Sequence, residues 1–113
     1  MIEQLFNEGR RFSLPVFMIH YILCEGEKPE LRFGVGVSSK NFKKAVDRNR
    51  MKRLMRESWR LQKNDLLQKI ISTNQQLNVF IIYTGKELPL YKDLFAMMTK
   101  VVGKLERIQG IKK

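Results

Sequence analysis

The chain is short of the residues that most small enzymes rely on. Its one histidine, His20, excludes a histidine pair for acid–base cleavage of RNA and any multi-histidine metal site. Its one cysteine, Cys24, cannot close an internal disulfide; it sits in an apolar run and reads as a small buried hydrophobe without chemistry. There is no run of about eighteen apolar residues and no charged-then-apolar leader, so neither a membrane span nor a secretory signal is expected. A cytoplasmic location follows from that reading. Acid is scarce too: 11 Asp+Glu stand against 22 Lys+Arg, a formal net charge of +11 and a pI near 10.1. Such an imbalance points to nucleic acid or an anionic membrane surface. With 43% hydrophobic residues in 113, and neither repeats nor a shift in composition, residues 1–113 read as one folded domain.

What the chain does have is concentrated in Ala45–Gln62 (AVDRNRMKRLMRESWRLQ). At about 100° per residue, Met51, Leu54, Met55, Ser58, Trp59 and Leu61 fall on one side of a helix. Asn49, Lys52, Arg53, Arg56 and Arg60 fall on the other. Asn49, Arg53, Arg56 and Arg60 recur at steps of four, three and four, giving a cationic stripe roughly 27 Å long. Like-charged neighbours on a helix cost a few tenths of a kcal/mol per pair in isolation, so the stripe implies an anionic partner.

Around this helix the pattern is mixed. Ile2, Leu5 and Phe6 have helical spacing ended by Gly9, which predicts a short first helix. Residues 16–24 (VFMIHYILC) predict a strand, with Phe17, Ile19, Tyr21 and Leu23 on one face and Met18, His20 and Ile22 on the other. Residues 25–30 contain Gly26 and Pro29 and predict a hairpin connection to a second strand at 31–37. In that strand Gly34 and Gly36 leave room for a close neighbour. The acids Glu25, Glu27 and Glu30 in the connection read as solubilising, so no protein-borne metal is expected. Residues 38–44 form a basic loop. After the central helix, Leu66, Leu67, Ile70 and Ile71 predict a helical extension, and 72–76 a loop. Residues 78–84 predict a strand apolar on both faces and covered on both sides. Residues 89–108 predict an amphipathic helix opened by Pro89. A fourth short strand near residues 11–13 is allowed. Phe17, Tyr21, Phe33, Phe80, Tyr83 and Phe95 read as core rather than as platforms for bases, and Trp59 packs on the apolar flank.

At the central helix the sequence resembles the protein subunit of bacterial ribonuclease P. The resemblance rests on Arg48-Asn49-Arg50, then Lys52-Arg53 and Arg56-Glu57-Ser58, preceded by Lys40 and Lys43-Lys44-Ala45. It extends over essentially the whole chain, since a Gly34-Val35-Gly36-Val37 strand precedes the motif and a late strand and terminal helix follow it. It implies an α+β fold, an α-β-β-β-α-β-α single-sheet sandwich like the second domain of ribosomal protein S5, with a left-handed βαβ crossover. It also implies that the catalyst is an RNA subunit removing the 5′ leader of precursor tRNA, and that this chain carries no catalytic residue. Mg²⁺ would be held by RNA and substrate phosphates. The RNA-binding residues would be Lys40, Lys43, Lys44, Arg48, Asn49, Arg50, Lys52, Arg53, Arg56 and Arg60, and the leader cleft would use Phe6, Met18 and His20. The implied partners are ribonuclease P RNA and the precursor-tRNA leader, with no membrane and no obligate protein partner. Family members usually begin with a longer basic segment that adds a cleft aromatic, so the N-terminus reads as shortened. His20 stands where some members have tyrosine. Both differences imply a weaker grip on a leader base, each stacked base being worth roughly 1–3 kcal/mol. The alternatives are a basic-helix DNA-binding protein, which would need major-groove readers, or another binder of structured RNA. The missing acid–base pair speaks against a stand-alone protein ribonuclease.

Overall fold

Four runs of alternating apolar residues form one sheet, and amphipathic helices bury one side of it. The computed structural model describes residues 9–25 and 28–108, so the first-helix reading over Ile2, Leu5 and Phe6 lies outside the described residues. The strands are β1 (Arg10–Leu14), β2 (Phe17–Glu25), β3 (Glu30–Val37) and β4 (Gln75–Tyr83); the helices are α1 (Ala45–Gln62), α2 (Asn64–Ser72) and α3 (Tyr91–Glu106). The α+β class with a single sheet is as expected. α1 has the bounds read from its periodicity, and β1 supplies the fourth strand allowed near residues 11–13.

The sheet order is β1-β2-β4-β3. β4 runs antiparallel to β2 and parallel to β3, so the expected hairpin between the second and third strands is not formed. Turn residues reverse the chain there but do not decide pairing. β4 buries every alternate residue, Gln75, Leu77, Val79, Ile81 and Tyr83, and a strand that apolar is stabilised most at the centre. Gln76 Nε2 donates to the Lys28 carbonyl at 3.0 Å, fastening the reversal to the start of β4.

The core lies between the helices and the sheet face that carries Phe17, Ile19, Val35, Leu77, Val79 and Ile81. α1 contributes Met51, Met55 and Trp59, the last stacked on Phe33 at 4.2 Å and 5°. Phe42, from the basic loop, is buried and tilted against Tyr83 at 5.9 Å. Leu61 does not join them and is 51% exposed. It stands about 120° round the helix from Met55, at the margin of the apolar arc.

Four further expectations change. β4 begins at Gln75 rather than residue 78, because Asn74 takes a φ of 54°, a left-handed turn that asparagine tolerates, and α2 passes straight into the strand. α3 begins at Tyr91 with Leu90 as its extended cap, so Pro89 precedes the cap. β4 is not covered equally on both sides: Gln76, Asn78, Phe80 and Ile82 are only half-buried. Cys24, on that same side, is likewise half-buried.

Candidate nucleic-acid interface

α1 is fixed to the core along one side, and its other side is free to carry charge. Met51, Met55, Ser58 and Trp59 are buried, whereas Asn49, Arg50, Arg53, Arg56 and Arg60 are exposed and Lys52 is half-buried. Asn49, Arg50, Arg53 and Arg56 come together with Val46 around a groove of about 540 Å³. The sequence reading missed Val46, which is 76% exposed at the head of the stripe. Asp47 in the first turn suits the positive end of the helix dipole. Arg60 pairs with Glu57 one turn back, Nη2 to Oε1 at 2.5 Å, which holds the Glu57 carboxyl below and the Arg60 guanidinium above its ordinary pKa. Among the described residues Arg50, Lys52, Arg53 and Arg56 have no such partner.

Arg48 is placed differently from its neighbours. Its Nη1 donates to the Phe42 and Lys43 carbonyls at 2.8 and 2.9 Å. The guanidinium therefore folds back on the loop and closes carbonyls left open as the chain enters α1. Lys40, Lys43 and Lys44 are exposed on this loop. Asn41 fastens it from the other end, its Nδ2 donating to the Thr84 carbonyl at 3.0 Å. The loop cations thus sit on a backbone tied to both β4's end and the head of α1.

The second surface is the sheet face opposite the core. In register, one row crosses Arg11, His20, Phe80 and Gly34, and the next crosses Ser13, Met18, Ile82 and Gly36. Paired residues share a face, so Met18 and His20 stand beside Ile82 and Phe80. The paired glycines explain how. A Cβ at Gly34 would lie 2.7 Å from Phe80 Cδ2, and one at Gly36 would lie 3.0 Å from Cε1. The Phe80 ring therefore lies flat over β3, which corrects its assignment to the core. Alternation in β4 together with the two glycines was the signal that could have found it. Burial first, and then the nearby Arg11 guanidinium, hold the His20 imidazole below its ordinary pKa. Phe6, the third expected cleft residue, lies outside the described residues.

Among the described residues no group of three His, Cys, Asp or Glu side chains could hold a metal ion, and no helix is long and apolar enough to cross a membrane. A family model described as Ribonuclease P matches residues 1–106. The chain belongs to the ribonuclease P protein family. The protein component of ribonuclease P from Porphyromonas gingivalis is 32% identical over 111 residues, covering 96% of this chain and 78% of that relative. The one from Nitrosococcus oceani is 45% identical over 58 residues, 51% of this chain and 47% of the relative. Among solved structures, the Staphylococcus aureus RNase P protein superposes with a TM-score of 0.68 at 20% identity, covering 95% and 89% of the two chains. The Thermotoga maritima protein gives 0.66 at 24% identity, covering 96% and 92%. Those two likenesses establish the fold. As a ribonuclease P protein, the chain is the RNA-binding protein subunit of the tRNA 5′-processing endoribonuclease and works with an RNA subunit. Nothing in these comparisons favours a DNA-binding role.

Proposed function

We propose that the chain grips ribonuclease P RNA through the outer side of α1 and holds the precursor-tRNA leader on the open face of the sheet. The observation that carries this reading is the set of α1 cations left without carboxylate partners on a helix whose other side is locked into the core. Arg50, Lys52, Arg53 and Arg56 neutralise phosphates and release counterions, with Lys40, Lys43, Lys44 and Arg60 at the margins. The Asn49 amide and the arginine forks set orientation. Arg48 acts mainly through the loop it holds, presenting Lys43 and Lys44. On the sheet, Met18, His20 and Phe80 offer apolar and aromatic contact to unstacked leader bases, with Phe6 as a further aromatic of the reading, while Arg11 supplies charge beside His20. Mg²⁺ supplies the hydrolytic chemistry and is held by RNA and substrate phosphates, as suits its preference for phosphate and water oxygens. The protein contributes position: a leader held in place aligns the scissile phosphate with the RNA active site.

The test is 5′-leader removal from a precursor tRNA at low Mg²⁺ by the chain alone, a bacterial ribonuclease P RNA alone, and both together. Stimulation only on mixing is expected. Arg53→Ala with Arg56→Ala should lower RNA affinity by on the order of a hundredfold and flatten its salt dependence by about 1.5 in log–log slope. Unchanged affinity and slope in that variant would remove α1 from the interface.

A further inference from the structure

α3 carries a second cationic stripe that the α1 and cleft readings leave unused. Lys100, Lys104 and Arg107 stand four and three residues apart, so they share one side of the helix, and all three are exposed. The other side, with Leu94, Met98, Val101, Val102 and Leu105, is buried in the core. At its C-terminal end the stripe meets β1. Lys104 Nζ lies 5.1 Å from the centroid of the Phe12 ring, and Phe12, Lys104, Arg107 and Ile108 line a hollow of about 300 Å³. Arg10, on the same side of β1 as Phe12, is exposed as well. Arg107 Nε donates to the Gly103 carbonyl at 3.1 Å, which lays its guanidinium along the helix.

This hollow is separate from the α1 groove. β1 and β3 are the two edges of the sheet; α1 packs against β3 and α3, and the hollow and the α1 groove share no lining residue. Three inter-strand steps put those edges roughly 14 Å apart. Among the described residues Arg10, Lys100, Lys104 and Arg107 have no carboxylate partner. Their like-charged spacing disfavours an isolated helix, so the arrangement gains from an anion. One side of the Phe12 ring is taken by Lys104 and its neighbour Tyr21 is tilted against it at 6.0 Å, so the ring offers little room to stack a base. The chemistry on offer is phosphate contact. Lys100 to Arg107 spans roughly 10 Å of helix, about three nucleotides at ~3.4 Å per step.

We propose that the α3–β1 hollow is a second RNA site, which takes the phosphate backbone of a segment of the RNA subunit distinct from the one held by α1. The proposal rests on the RNA-subunit reading above. Two separated contacts on one rigid body would fix the protein's orientation on its RNA, which a single helix contact leaves free to pivot.

The experiment uses the full chain with ribonuclease P RNA and compares wild type, Lys100→Gln/Lys104→Gln, and Arg53→Ala. Affinity is measured against salt, and backbone protection is mapped by hydroxyl-radical footprinting. Both substituted lysines are exposed, and coincident melting curves exclude a folding defect. The double variant should lose about 1.5 from the salt slope and on the order of tenfold in affinity. It should also lose one protected segment that Arg53→Ala keeps. Lys104→Arg should retain both. Unchanged slope and footprint, or a loss seen only when precursor tRNA is added, would overturn the proposal. Failure of the wild-type chain to bind the RNA at all is a different result and would sink the RNA-subunit reading itself.

Discussion

Along α1 the outward stripe is made mainly of long cationic side chains, and among the described residues Arg60 is the only one of its arginines beyond Arg48 tied to a carboxylate. The centre of the open sheet face is instead made by Met18, His20, Phe80 and Ile82, held by register, with Phe80 laid over two glycines and Arg11 beside His20. As an RNA contact the first surface would bind at long range, tolerate adjustment and weaken with salt. The second would work chiefly at contact, through shape, and should depend much less on salt. If both surfaces bind as proposed, ionic strength should weaken the first far more than the second.

Phe80→Ala should break the division most sharply. Leader affinity should fall by about 1–3 kcal/mol, while binding of the RNA subunit is unchanged. Titrating the holoenzyme with precursor and with leaderless tRNA checks this, since an equal loss for both would mean that Phe80 serves only the fold. Arg48→Ala should do the reverse of what its place in the basic motif suggests. Freeing the Phe42 and Lys43 carbonyls should cost about 1–2 kcal/mol of stability in urea unfolding, with less change in salt slope than Arg53→Ala gives. A slope change as large as that of Arg53→Ala would return Arg48 to the phosphate contacts.

pH sharpens the same contrast. The folded state disfavours the His20 imidazolium, so this contribution to stability is complete above the ordinary histidine value of about 6.5 and is lost as pH falls through the lowered folded value. Acidification should lower the melting temperature slightly while adding positive charge beneath a phosphodiester leader. His20→Gln should abolish both pH effects, and persistence of the leader effect would assign it to another group. The smallest effect expected is from Glu57→Gln. It releases Arg60 from its exposed partner, so RNA affinity should rise a little at low salt and the gain should vanish at high salt.

Most of the fold was legible because burial imposes period. α1 was readable to its last residue, since Met51, Met55 and Trp59 return at four-residue steps against a polar background. Topology was not, because the turn at Pro29 reports a reversal and nothing about which strand lies alongside. Phe42 was passed over and Phe80 misjudged, for opposite reasons. One is an aromatic in a run of lysines that proved to be core, and the other is an aromatic in an apolar strand that proved to face outwards. The inward turn of Arg48 could not be inferred from a motif in which it looks like Arg50, Arg53 and Arg56. Only the open carbonyls of the preceding loop distinguish it.

The sheet order has a consequence for synthesis. The strand at the centre is the last to be made: β2 and β3 are joined only through β4, so neither gains its inner neighbour until residue 83 has left the ribosome. α1 emerges earlier, before α3, which packs against it, has been made. A nascent chain of this protein therefore presents a basic helix and two open strand edges at the same moment, beside a particle made largely of RNA, and folding is gated by the arrival of nine residues.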